Sequence, residues 1–154
     1  MYQVLNVNEY PQGVEVCIKY IHTKWRSEDN YAYFENAILH SSKEEDTILQ
    51  FYVLVTEGEI VGCFGLIIND FVSRHDLYPW LSSLFIEPQH RGKRLSELLF
   101  NHALNAAKSM GFQSLYLTTD HDGLYEKFGW DRIEDAYDPS GYVTKVYRKS
   151  LENN

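Results

Sequence analysis

What most constrains the fold of this chain is a strand–helix–strand succession in its second half. Leu81-Ser82-Ser83-Leu84-Phe85-Ile86 reads as a strand, closed by Glu87 and Pro88. Leu95, Leu98, Leu99, His102, Ala103, Ala106 and Met110 recur at helical spacing, and Gly111 is a natural left-handed stop. Ser114 to Thr118 is strand-like again. Adjacent strands joined through a helix lie parallel, and a ligand is expected where their carboxyl ends part. The turn into the helix, Gln89-His90-Arg91-Gly92-Lys93-Arg94-Leu95-Ser96, suits an anion there. The first amides of a helix have no partner inside it, and the positive end of the helix dipole lies behind them. Gly92 lets the backbone approach closely, while Arg91 and Lys93 neutralise charge from the sides. Phosphates belong in such a cradle.

The rest of the chain surrounds this unit. Met1 to Asn8 alternates partly, as an edge strand does, and Pro11-Gln12-Gly13 is a turn. Val14, Cys17, Ile18, Ile21 and Trp25 share one helical face and predict a helix over 13–26. Ser27-Glu28-Asp29-Asn30 breaks it. A second helix carries Tyr33, Phe34, Ala37 and Ile38 and ends near Ser41, and Lys43 to Asp46 is expected to be a solvated loop. Gln50 to Thr56 and Ile60 to Ile68 are apolar runs joined at Glu57-Gly58-Glu59, a tight hairpin signal. A polar and aromatic connection, Asn69 to Pro79, leads into the central unit. After it come a short helix from Leu124 to Phe128, a strand from Trp130 and a final strand from Gly141 to Arg148. This order of elements is that of an α/β or α+β sheet. No repeat or linker divides it, so one domain is expected over 1–154.

The chain carries 22 acidic side chains against 14 Lys and Arg, a net charge of −8. That balance disfavours nucleic acid and anionic membranes, and suits a cationic or amine-bearing partner. Cys17 and Cys63 stand in apolar runs and read as small buried hydrophobes in a reducing compartment. No apolar stretch approaches the roughly 18 residues that span a bilayer, and no leader is read at the N-terminus. A soluble, cytoplasmic protein is the expectation.

Two motifs then carry a resemblance. Gln89 and Gly92 fit a loop of the form Gln/Arg-x-x-Gly-x-Gly/Ala between a strand and a helix. Leu124, Tyr125 and Gly129 fit a Leu/Phe-Tyr pair followed after three residues by Gly-Phe, with Trp130 in place of Phe. With both motifs around one crossover, the chain resembles the GNAT superfamily of acetyl-CoA-dependent N-acetyltransferases, best from residue 50 onward and in outline before it. The resemblance implies a mixed, mostly antiparallel sheet with a central parallel strand–helix–strand crossover flanked by helices. It implies acetyl-CoA as co-substrate, held by Phe85, Ile86, Gln89, Arg91, Gly92, Lys93, Arg94, Leu95 and Ser96. It also implies a backbone N–H near Ile86 for the developing oxyanion. The loop departs from the family at Arg94, where Gly or Ala is usual, and at Ser96. A helical backbone permits both residues. Their side chains either crowd the phosphates or serve them, Arg94 as a bidentate clamp and Ser96 through its hydroxyl.

The same resemblance makes Tyr125 the acid that protonates a departing thiolate. A phenol of pKa about 10 and a thiol of about 8.5 are close enough for the transfer. Phe128 and Trp130 read as core, and Glu126 with Lys127 as a surface pair. The acceptor amine, of pKa about 10.4, is only about one part in a few thousand neutral at pH 7, so a base is useful. Glu87 and Asp120 stand at the strand ends as equal candidates, with His121 behind them. Aromatic and acidic residues around the two connections, Trp25, Tyr31, Asp70, His75, Tyr78 and Trp80, are candidates for the acceptor pocket. Asp120-His121-Asp122 lacks ligand spacing, so no metal is expected. Neither cysteine has an activating neighbour in sequence, so direct transfer is preferred over an acyl-cysteine route.

The reading is thus an N-acetyltransferase acting on a primary amine of a small molecule or peptide. A non-catalytic acyl-CoA sensor of the same fold is the alternative, motivated by Arg94 and Ser96. A nucleoside triphosphate enzyme fits poorly, because the spacing of a P-loop is missing. The final strands leave a homodimer open.

Overall fold

The strands at the centre of the molecule are apolar at almost every position because both of their faces are covered. In β2 (Gln50–Thr56), Phe51, Val53 and Val55 join one core, while Tyr52 and Leu54 join another on the opposite face. The computed structural model describes residues 1–25, 29–41 and 48–151. They form one seven-stranded mixed sheet in the order β1-β2-β3-β4-β5-β7-β6. Its other strands are β1 (Tyr2–Asn6), β3 (Glu59–Ile67), β4 (Trp80–Ile86), β5 (Ser114–Thr119), β6 (Asp131–Tyr137) and β7 (Val143–Ser150). Every neighbouring pair is antiparallel except β4 and β5. This is the mixed, mostly antiparallel sheet with one parallel crossover that the sequence implies.

Two helices, α1 (Val14–Trp25) and α2 (Tyr31–Leu39), bury Cys17, Ile18, Ile21, Phe34 and Ile38 on one face. The crossover helix α3 (Leu95–Ser109) covers the other, setting Leu95, Leu99, Ala103 and Ala107 against the sheet with Phe100 beside them. This differs from the expected stripe. Leu98 faces outward and His102 is only half-buried, edge-on to the rings of Tyr52 and Phe64. The buried ridge follows i, i+4 spacing, and Phe100 adds width where α3 meets Phe128 and Trp130.

Local chemistry accounts for other shifts from expectation. The first strand stops at Asn6 rather than Asn8. Asn6 forms a capping box with Glu9 and starts a 3-10 turn over Val7–Glu9. The β2–β3 turn has positive φ at both Glu57 and Gly58, 51° and 80°, which matches the twist of a tight hairpin, so β3 already begins at Glu59. Asn30 donates its amide to the Trp25 carbonyl at 2.8 Å and so ties the end of α1 to the start of α2. The Lys43–Asp46 loop, with Ser27 and Glu28, lies outside the described residues. Among the described residues no helix is long and apolar enough to cross a membrane.

Candidate active site

The two parallel strands touch once and then separate. Their single register pair is Trp80 opposite Tyr116, where the Tyr116 N–H donates to the Pro79 carbonyl at 3.1 Å. Beyond that point β4 carries a bulge. Cys63 pairs with Phe85 and Gly65 with Ser82, so Ser83 and Leu84 together oppose Phe64. Ser83 takes φ 56°, a left-handed conformation that costs a side-chain-bearing residue about 1–2 kcal/mol. The bulge is held by its neighbours. The Cys63 thiol donates to the Ser83 carbonyl at 3.4 Å. At Gly62, opposite Ile86, a Cβ would come within 2.7 Å of the Phe85 carbonyl oxygen, so only glycine admits this approach.

Two clefts meet at the bulge, with Leu84 in the wall of both. The first, of about 560 Å³, lies between the end of β4, the start of α3 and a 3-10 turn over Tyr125–Phe128. Phe85, Ile86, Arg91, Gly92, Arg94, Leu95 and Ser96, all candidates for holding the co-substrate, line it, and Leu84, Glu97, Lys127 and Phe128 complete it. The Arg91 Nε–H donates to the Ile86 carbonyl at 2.8 Å, with the guanidinium 5.4 Å from the Phe85 ring centre. Gly92 has φ 82°, a glycine conformation. Arg94 is not helical. It is the residue before α3, with φ 60° and ψ 26°, a left-handed conformation that glycine takes without strain. Its guanidinium turns along the helix to Glu97, at 2.5 and 3.2 Å. Ser96 alone of the two is in the helix proper.

The remaining loop candidates point elsewhere. Lys93 donates to the Tyr2 hydroxyl at 3.3 Å, which also bonds the His90 Nδ1 at 2.8 Å. Gln89 is exposed on a 3-10 turn over Pro88–His90 and does not line the cleft. Lys127 was hidden from the sequence as half of a surface pair. Its presumed partner Glu126 instead accepts from the Tyr147 hydroxyl at 3.0 Å. The first cleft therefore combines the first amides of α3 with Arg91 and Lys127, the Arg94–Glu97 ion pair and an apolar wall. These residues fit a pyrophosphate with an organic arm such as that of coenzyme A.

The second cleft, of about 330 Å³, opens on the other side of Leu84. Tyr125 lines it, with its ring packed against Phe100, Trp130 and Tyr147 at centre distances of 5.9, 6.4 and 5.8 Å. Burial pushes its phenol up, so the proton is firmly held at neutral pH. Trp25 and Asp70 also line this cleft, together with Tyr33 and Phe71 from the same two connections, and with Ser82 and Thr118, which sequence reasoning missed. The hydroxyl pair Ser82-Ser83, inside an otherwise apolar strand, was the available signal. Asp70 accepts from the Ser82 hydroxyl at 2.9 Å and from Thr118 at 3.4 Å. Burial raises its carboxyl to about 6, although both hydrogen bonds act to lower it.

Other acceptor-pocket candidates lie elsewhere. Trp80 is fully buried in the core and donates to the Leu77 carbonyl at 2.6 Å. Tyr78 packs on Phe112, and Tyr31 on His22. His75 lines a separate groove with Tyr137 and Pro139. The base candidates are likewise apart from the junction. Glu87 accepts from the Tyr20 hydroxyl and from Lys24, both at 2.5 Å, and lines neither cleft. Burial works against its charge, but those two partners, with the nearby charge of Arg91, outweigh it and hold the carboxyl below its usual range. Asp120 is exposed, accepts from Tyr142 at 3.3 Å and borders a neighbouring groove shared with Asp70. His121 is exposed beside it, its backbone N–H on the Thr119 hydroxyl. Cys17 and Cys63 are both fully buried and unpaired. Burial pushes the Cys17 thiol up to about 12 and raises Cys63 as well, the opposite of an activated nucleophile.

Comparison with known proteins agrees with this geometry. A curated relative, the uncharacterized N-acetyltransferase YjgM of Escherichia coli strain K12, is 34% identical over 98 residues. That match covers 60% of this chain and 58% of the relative. An aminoglycoside 6'-N-acetyltransferase complexed with coenzyme A superposes with a TM-score of 0.70 at 16% identity, over 100% of this chain and 98% of the other. A GNAT-family acetyltransferase from Staphylococcus aureus Mu50 gives 0.66 at 18% identity, over 99% and 100%. At such identities the superpositions establish the fold. The sequence profile of the acetyltransferase (GNAT) family matches residues 15–130, a stretch holding the bulge, the helix amides and Tyr125, and the chain belongs to that family.

Proposed function

We propose that this protein moves an acetyl group from acetyl-CoA directly to a primary amine of a small molecule or peptide. The observation that carries the reading is the meeting of two unlike clefts at one bulge. One is a cationic, helix-capped cleft suited to a pyrophosphate. The other is a carboxylate-bearing, aromatic cleft suited to an ammonium. When bound, acetyl-CoA supplies a thioester, whose carbonyl carbon is open to an amine. Arg91 and Lys127 neutralise the phosphates, and the first amides of α3 donate to them. The bulge at Ser83 and Leu84, which lifts backbone out of the β3 ladder, brings main-chain donors to the boundary of the clefts. Tyr125 keeps its proton until the sulfur departs and then supplies it. The buried state of both cysteines supports direct transfer.

Calorimetric titration with acetyl-CoA tests the first half of this reading. Saturable binding is expected, with a dissociation constant between about 1 μM and 1 mM. It should weaken as salt is raised, because the phosphate contacts are exposed. No heat at millimolar acetyl-CoA would sink the proposal. The sensor reading has one observation in its favour, the strained Arg94 in a glycine position. It predicts the same binding without turnover.

A further inference from the structure

The geometry points to Asp70 as the group that takes the proton from the acceptor amine, a role that rests on the acetyl-transfer reading. Its carboxylate fills the notch where β4 and β5 part, and it lines the cleft that Tyr125 also lines. Register explains the placement. With Trp80 opposite Tyr116, the residues two further along each strand, Ser82 and Thr118, would be the next pair on that face. The strands have separated by then, and both hydroxyls turn to Asp70 instead, one to each carboxylate oxygen. The loop that delivers Asp70 is fixed as well. The Asn69 side chain accepts from the Val72 N–H at 3.2 Å and donates to the Val72 carbonyl at 3.0 Å. Phe71 between them is held at φ 58°.

The surroundings suit an ammonium that arrives charged and must lose a proton. Trp25, Tyr33 and Phe71 line the cleft with aromatic rings, a surface that attracts a cation. The titratable groups facing Asp70 are Tyr33 from α2 and Tyr125 from the 3-10 turn. Asp120, Asp138 and Tyr142 border the groove behind it. Tyr33 is itself raised by burial and by the charge of Asp70. Among the described residues no Lys, Arg or His lines either cavity beside Asp70. A carboxylate raised by burial to about 6 is ionised at neutral pH yet more basic than an ordinary one.

Asp70 takes one proton from the ammonium, breaking N–H and forming O–H, and frees the lone pair. The nitrogen bonds to the acetyl carbon as the carbon–sulfur bond breaks. Tyr125 gives its proton to the sulfur, and the second N–H proton, lost as the amide forms, replaces it. Asp70 returns its own proton to water through the groove bordered by Asp120 and Asp138.

Thiol release against pH, with one amine that turns over, tests this assignment. For the wild-type protein kcat/KM is expected to rise through a limb near pH 6, since activity needs the ionised carboxylate. Asp70→Asn should lower kcat by about 100-fold or more and erase that limb, with acetyl-CoA affinity unchanged. Ser82→Ala removes a hydrogen bond that favours the charged form, so the limb should move to higher pH. This second variant decides the matter if Asp70→Asn does not fold. An Asp70→Asn protein with the wild-type rate and limb, or a limb unmoved in Ser82→Ala, overturns the assignment of Asp70 alone. Absence of release by the wild-type protein with every amine overturns the acetyl-transfer reading beneath it.

Discussion

Tyr125→Phe is expected to lower kcat for acetyl transfer by about 100-fold while leaving the dissociation constant of acetyl-CoA within about twofold. A positioned general acid contributes on this order, and the substitution removes only its oxygen. The ring contacts with Phe100, Trp130 and Tyr147 survive, because they belong to the ring rather than the hydroxyl. No described residue bonds that hydroxyl, so its loss leaves no buried partner unsatisfied. Steady-state kinetics paired with calorimetry separates the two quantities. A fall confined to KM would mean that Tyr125 binds substrate without serving the chemical step. An unchanged rate would remove it from the reaction.

The second large effect is on stability. Trp130 stands where the family motif has Phe and is 1% exposed, packed on Phe100 and Tyr125. Trp130→Ala should cost about 3–5 kcal/mol, from lost burial and the cavity left behind. In a domain of this size that lowers Tm by roughly 6–20 °C. Trp130→Phe should behave differently. The indole Nε1 is buried and finds no partner among the described residues, a condition that costs about 1–3 kcal/mol. Phenylalanine removes that orphan donor while leaving a smaller void. The two effects offset, and stability should stay within about 1–2 kcal/mol of wild type. Urea unfolding of the three proteins measures both. Loss of less than about 1 kcal/mol in Trp130→Ala would show that the ring does not organise the floor beneath Tyr125.

The parts of this molecule written in local pattern were legible. β2 and β3 show themselves as apolar runs, the crossover by its periodicity and by Gly111, and the turn into α3 by Gly92. The parts set by distant partners were not. Glu87 ends the right strand for a base, yet its charge is spoken for by Tyr20 and Lys24 on α1, far away in sequence. The bulge at Ser83 depends on how β4 registers against β3, and no single segment encodes that. Arg94 adjoins a helix in sequence, and only the folded chain shows the left-handed turn at that residue. Asp70 was visible as a pocket carboxylate. Its partners come from two strands that meet only in the folded sheet, so its place in the notch could not be read in advance. Side chains of one composition thus divide by topology: Trp25 and Asp70 reach the cleft, while Trp80 and Tyr78 are spent on packing.

Release of free thiol from acetyl-CoA across a panel of primary amines is the most direct test of the central claim. The panel should span polyamines, amino sugars, amino acids and peptides with free N-termini or lysines. The two-cleft account predicts release that depends on both protein and amine, saturates in each substrate and is matched by acetylated amine. Tight binding of acetyl-CoA with no release for any amine would contradict it and leave a sensor in its place.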